Sequence, residues 1–219
     1  MMKLVIGDRN YSSWSLRPWL VLKQAGLPFE EIPVRLREPG TKAEILKHSP
    51  SGKVPCLIDG ETVIWDSLAI CEYLAEKAPA LWPAEAKVRA EARAVSAEMH
   101  SGFTSLRHDL PMEVSAYKPH DRRTAGADAD IARIVAIWEG CRARFAAAGP
   151  FLFGAFSIPD AYFAPVAGRI RTYGLPVSAP VAAWIERLWA APGVAAWVAD
   201  ALTEQDFLDF EEPYRSGRG

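Results

Sequence analysis

Cysteine is scarce in this chain: Cys56, Cys71 and Cys141 are the only three among 219 residues. They are scattered, odd in number and form no CxxC pair. That excludes a disulfide framework and a cysteine-rich zinc site, and it points to a reducing compartment. Charge of one sign is not in excess either, since 25 basic and 27 acidic residues leave a formal net charge of -2. Such a balance gives no electrostatic reason for a nucleic-acid partner or an anionic membrane. Long apolar runs are also missing. The opening MMKLVIGDRN has too little apolar length for a signal peptide, and no stretch approaches a bilayer span. These absences predict a soluble cytoplasmic protein without a metal. What is plentiful is apolar material: half the residues are hydrophobic, enough for a substantial core.

The pattern of those residues divides the chain. KLVIGD is a short β-rich run stopped by Gly7 and Asp8. NYSSWSLRPWL then crowds three serines ahead of a helical pattern of Leu16, Trp19, Leu20 and Lys23. Pro18 suits a first helical turn, and Gly26 followed by Pro28 is a stop. FEEIPVRL alternates as a second strand, with Pro33 predicting an edge. GTKAEILKHSP predicts a short helix ending at Ser49-Pro50. VPCLIDGETVIWDS predicts a hairpin, two apolar runs around the turn-forming Asp59-Gly60. DSLAICEYLAEKAP is an amphipathic helix with Leu68, Ala69, Cys71, Tyr73 and Leu74 on its apolar side.

The first part thus predicts the order β-α-β-α-β-β-α, ending near Ala78, with APALWPAEA as a linker. From Lys87 onward only helical patterns occur, at about 87–110, 128–147, 160–173, 180–190 and 193–201. An α/β unit followed by an all-α unit is a specific layer order.

Four motifs, each on its proper element, carry a family likeness. They are YSSWSLRPW at the first helix, GKVPCL before the hairpin, WDSLAICEYL at the third helix, and SIPDAYFAPV in the helical part. Together they resemble the cytosolic glutathione S-transferase superfamily over nearly the whole chain, closest to its zeta-like, maleylacetoacetate isomerase-like branch. The resemblance implies a thioredoxin-like glutathione-binding domain over residues 1–79 and an all-helical domain over 87–219 that contributes the electrophile site. It implies glutathione as substrate or coenzyme, a small hydrophobic or carboxylate-bearing electrophile, and a homodimer. Asp66 stands where zeta proteins often carry Gln, so the acid leans toward other classes.

The chemistry follows from glutathione itself. A free thiol titrates near 8.5, so only a few per cent is thiolate at neutral pH. A serine hydroxyl and a helix N-terminus can both favour the anion. By register with the zeta motif, Ser12 is the candidate thiol partner. Ser15 is a second catalytic candidate or an N-cap, and Ser13 a glutathione contact. No cysteine stands at this helix start, which counts against a glutaredoxin or an omega-like reductase.

The resemblance also implies a cis peptide before Pro55, with the backbone of Val54 pairing strand-fashion with the cysteinyl part of glutathione. Asp66 and Ser67 begin a helix whose N–H groups suit the γ-glutamyl carboxylate, and Asp66 could pair with the amino group. Lys42, His48 and Lys53 are candidates for the glycyl carboxylate. For the electrophile, His100, Phe103 and Arg107 fall three to four residues apart on one face of the predicted 87–110 helix, and Arg17 and Arg107 could hold a carboxylate. Met99 and Trp138 are core candidates. Ser157 and Asp160 form an S-x-x-D capping pattern, a structural device. The expected function is glutathione transfer or glutathione-dependent cis-trans isomerisation. A non-catalytic glutathione- or partner-binding protein and a peroxidase are the alternatives.

Overall fold

The computed structural model describes residues 1–116, 122–209 and 211–212. Its centre is β1 (Met2–Ile6), whose residues are buried except Lys3. β2 (Phe29–Pro33) runs parallel to β1, with Met2 opposite Phe29, and ends the sheet on that side. β3 (Cys56–Asp59) lies antiparallel on the other side of β1, and β4 (Thr62–Trp65) closes a hairpin with β3. The sheet order is therefore β2-β1-β3-β4. Pro33 does lie on an edge strand, where its missing N–H costs no ladder bond. The hairpin turn sits one residue later than predicted. Asp59 still pairs with Thr62, and Gly60, at φ 61°, is the first of the two turn residues.

Three helices complete this unit: α1 (Ser13–Gln24), α2 (Thr41–Leu46) and α3 (Ser67–Lys77). α1 and α3 cover one face of the sheet, and α2 covers a small second core of Val5, Val34, Ile45 and Cys56. The order β-α-β-α-β-β-α, with its thioredoxin-like arrangement, is the one expected.

After a short 3₁₀ turn at Pro79–Leu81 come α4 (Ala86–Ser101), α5 (Thr104–Asp109), α6 (Ala125–Phe145), α7 (Ile158–Tyr173), α8 (Ala179–Trp189) and α9 (Pro192–Thr203). Residues 117–121, 210 and 213–219 of the expected helical unit lie outside the described residues. The predicted continuous helix 87–110 is two helices. Gly102 is extended and Phe103 left-handed at φ 57°, which breaks it. A side chain at Gly102 would meet the Glu98 carbonyl oxygen at 2.9 Å, so the chain turns where only glycine fits. Burial of the Phe103 ring, worth about 1.5–3 kcal/mol, offsets the cost of its positive φ.

One continuous apolar core spans both units. Trp19 of α1 meets Trp197 of α9 edge-on at 5.1 Å, and Trp138 packs against Trp184 at 4.8 Å and Phe163 at 5.7 Å. Met99 and Trp138 are fully buried, as expected of core residues. The capping box of α7 is present, and the buried Asp160 carboxylate also accepts from Leu152 N–H and Trp184 Nε1–H, each at 2.9 Å. Among the described residues, no helix is long and apolar enough to cross a membrane.

Candidate functional site

The start of α1 is built from serines that satisfy one another. Ser12 is the N-cap, and its Oγ accepts from the Ser15 N–H at 3.4 Å. Its hydroxyl donates to Ser15 Oγ at 2.8 Å. Ser15 Oγ also accepts from the Gly7 N–H at 3.1 Å, which ties the helix start to the end of β1. Ser15 is fully buried, while Ser12 and Ser13 retain 6% and 7% exposure. Trp14, between them, is half-buried.

Beneath Trp14 lies Arg17, fully buried. Its Nη1 donates to Ser13 O at 2.9 Å and its Nε to Tyr162 O at 3.1 Å. The guanidinium carbon is 4.2 Å from the centre of the Trp14 ring and 5.2 Å from that of Tyr162. Burial lowers Arg17 to about 9, which leaves it charged at neutral pH. Arg17 thus fastens α1 to α7.

The peptide bond Val54–Pro55 is cis, as the resemblance implied. It places Lys53, Val54 and Pro55 along a cleft, just before Cys56 enters β3. On the far side Asp66 takes φ 74°, rare for a residue other than glycine and worth about 1–3 kcal/mol of strain. It caps α3: Oδ1 accepts from Leu68 N–H at 2.8 Å and Ala69 N–H at 3.3 Å. Ser67, buried, shares a hydrogen bond with the Tyr162 hydroxyl at 2.9 Å. Burial raises the Tyr162 phenol, so it stays protonated.

These segments enclose one cleft of about 520 Å³, lined by Trp14, Ser51, Lys53, Val54, Pro55, Trp65, Asp66, Ser67 and His100. Five of the predicted glutathione contacts, Lys53, Val54, Pro55, Asp66 and Ser67, meet there with His100. A cation at one wall and an anion at the other suit a ligand that carries both charges. Lys42 does not reach the cleft and lines a separate shallow hollow with Arg37, Gly40 and Gly52. Ser12, Ser13 and Ser15 are absent from the lining. His100 and Arg107 stand on different helices because of the break at Phe103. Phe103 is buried in the core, and Arg107 lies over Trp14 at 5.3 Å and donates to the Gly102 carbonyl.

Trp14, Ser51, Trp65 and Tyr162 are site residues that sequence reasoning passed over. Trp14 and Trp65 belong to the motifs at the first and third helices, but an apolar run such as Val63-Ile64-Trp65 does not say which ring faces a cleft. Tyr162 gave no signal either, because its contact with Ser67 spans 95 positions of sequence. No cysteine offers a competing nucleophile among the described residues: all three are buried, and burial raises each thiol, Cys141 to about 12. Nor do the described residues group three or more metal-ligating side chains.

Comparison with known proteins now gives the lineage. Residues 11–77 match the model of the glutathione S-transferase N-terminal domain, and residues 121–200 that of the C-terminal domain. The chain belongs to the glutathione S-transferase family. Among curated relatives, it is 45% identical over 78 residues to a zeta class glutathione S-transferase of Euphorbia esula, covering 35% of each chain. It is 36% identical over 104 residues to a probable maleylacetoacetate isomerase of Caenorhabditis elegans, covering 47% of each. The matched region thus spans between about a third and a half of those relatives. A crystal structure of a glutathione transferase homolog from Burkholderia, with bound glutathione, superposes with a TM-score of 0.71 at 27% identity, covering 91% of this chain and 97% of that one.

Proposed function

We propose that the cleft binds glutathione and that the protein uses its thiolate to attack a small electrophile. The observation that carries this is the convergence of Lys53, the cis Val54–Pro55 edge, and the Asp66–Ser67 start of α3 on one cleft. Lys53 takes the glycyl carboxylate, the Val54 backbone the cysteinyl unit, and Asp66 the ammonium. The N-terminus of α3 receives the γ-glutamyl carboxylate. The Burkholderia homolog solved with glutathione supports the ligand.

Residues 1–79 supply the glutathione wall in this scheme, and 87–219 the electrophile wall. The thiol reaches the start of α1. There Ser12 turns its O–H from Ser15 to the sulfur, and Ser15 donates to Ser12 Oγ in return. The serine pair can thus present one O–H to the thiolate without losing its mutual hydrogen bond. Trp14, His100 and Arg107 bound the space for the electrophile. Thiolate addition to a conjugated double bond, rotation and departure of the thiolate would isomerise a maleylacetoacetate-type substrate, as the likeness to the isomerase suggests. Retention of the adduct as product would make the reaction a transfer. A homodimer belongs to the same proposal, supported by the exposed Val63 of the edge strand β4.

The test is glutathione-dependent turnover of maleylacetone and of an aryl halide by wild type and Lys53→Ala. Turnover of either, with a raised KM for glutathione in the variant, is expected. Glutathione binding without turnover of any electrophile would make the protein a binding module.

A further inference from the structure

The helical unit contributes to the γ-glutamyl end of the cleft. His100, in the last turn of α4, places Nε2 3.2 Å from Asp66 Oδ2. Its Nδ1 is buried and has no hydrogen-bond partner. A proton on Nδ1 would therefore be buried and unpaired, whereas Nε2 lies within ion-pair distance of the carboxylate. Trp14, edge-on at 5.5 Å, and Tyr162, at 6.2 Å, flank the imidazole.

A carboxylate offers about four acceptor positions. Leu68 N–H and Ala69 N–H fill two of those on Asp66, both on Oδ1, and His100 Nε2 stands beside Oδ2. The Asp66 side chain keeps 45% exposure and lines the cleft, so Oδ2 has an acceptor position open to a ligand. We propose that His100 is a positioning residue: it holds the Asp66 carboxylate from the helical side so that the free acceptor position meets the ammonium of glutathione. Fixing the acceptor beforehand spares the ligand the cost of ordering it. This assignment rests on the glutathione function proposed above and adds that ammonium recognition depends on α4.

The test compares two peptides by calorimetric titration: glutathione, and glutaryl-cysteinyl-glycine, which lacks only the amino group. Wild type is expected to favour glutathione by tenfold or more. His100→Leu should lose about tenfold in affinity for glutathione and less than about twofold for the deaminated peptide. His100→Gln, which can present an N–H near the Nε2 position, should recover most of the loss. Equal losses for both peptides would overturn the proposal in favour of a packing role. Unchanged or tighter glutathione binding by His100→Leu would overturn it in favour of a spectator or a competitor. Equal wild-type affinity for the two peptides would remove Asp66 as the ammonium partner, and His100 with it. Wild type binding neither peptide would bring down the glutathione function itself. Thermal unfolding of both variants separates folding failure from loss of recognition.

Discussion

Two helix starts face the cleft, and they are finished differently. At α1 the polar groups are turned inward: Ser12 and Ser15 bond to each other, Ser15 accepts from the Gly7 N–H, and Arg17 bonds to Ser13 and Tyr162. At α3 the cap is turned outward, because Asp66 satisfies two helix N–H groups and still keeps a carboxylate oxygen at the cleft. A closed cap mainly stabilises the fold, whereas an open cap also has valence left for a ligand. Substitutions at α1 should therefore act first on stability, and those at α3 first on binding.

The largest expected effect is at α1. Arg17→Ala removes a buried guanidinium and its bonds to Ser13 O and Tyr162 O and opens a void. It should cost about 3 kcal/mol or more in urea unfolding. A loss below about 1 kcal/mol would show that α1 and α7 are not held together there.

The loop leading into α1 gives the next effect, through pH. Asp8 accepts from Leu36 N–H at 2.9 Å, and its carbonyl accepts from Tyr11 and Ser12 N–H. Burial, with Glu204 and Asp206 nearby, raises its carboxyl to about 6. The folded state then holds this proton more tightly than the unfolded chain. The resulting stabilisation is full below about pH 4 and is lost as pH rises through 6. Asp8→Asn keeps an acceptor without the charge. It should match wild type near pH 4 and exceed it by about 2 kcal/mol at pH 7. Parity at both pH values would contradict the shift.

Smaller still, Ser15→Ala should cost about 1–2 kcal/mol by unpairing the Gly7 N–H, with little change in glutathione affinity. Asp66→Ala reverses that profile. It should cost only about 1 kcal/mol of stability as a lost cap, yet weaken glutathione binding at least tenfold. If Ser15→Ala changed affinity more than Asp66→Ala, the contrast between closed and open caps would fail.

Much of this was legible because local physics dictates it. The β-rich KLVIGD, the Pro33 edge, the S-x-x-D box of α7 and the polar start of α3 are set by neighbouring residues. The break at Gly102–Phe103 was missed because a helical spacing of His100, Phe103 and Arg107 survives on paper; a backbone contact and a buried ring decide it. The hairpin turn slipped by one residue because Asp59 belongs to the strand register. For the site, the motifs marked Lys53, Val54, Pro55, Asp66 and Ser67, which the fold gathers into one cleft. The inward turn of the serines could not be read from spacing, since it depends on the Gly7 N–H at the end of β1. The pairings of His100 with Asp66 and Tyr162 with Ser67 join two units of the chain and exist only once they pack.

The central claim is that the cleft binds glutathione and favours its thiolate at the start of α1. The ultraviolet difference spectrum of bound glutathione against pH, for wild type and Ser12→Ala, tests it most directly. A thiolate band that appears well below the free-thiol value of about 8.5 in wild type, and fades in the variant, is the predicted result. Glutathione bound to wild type with no thiolate band below that value would contradict it.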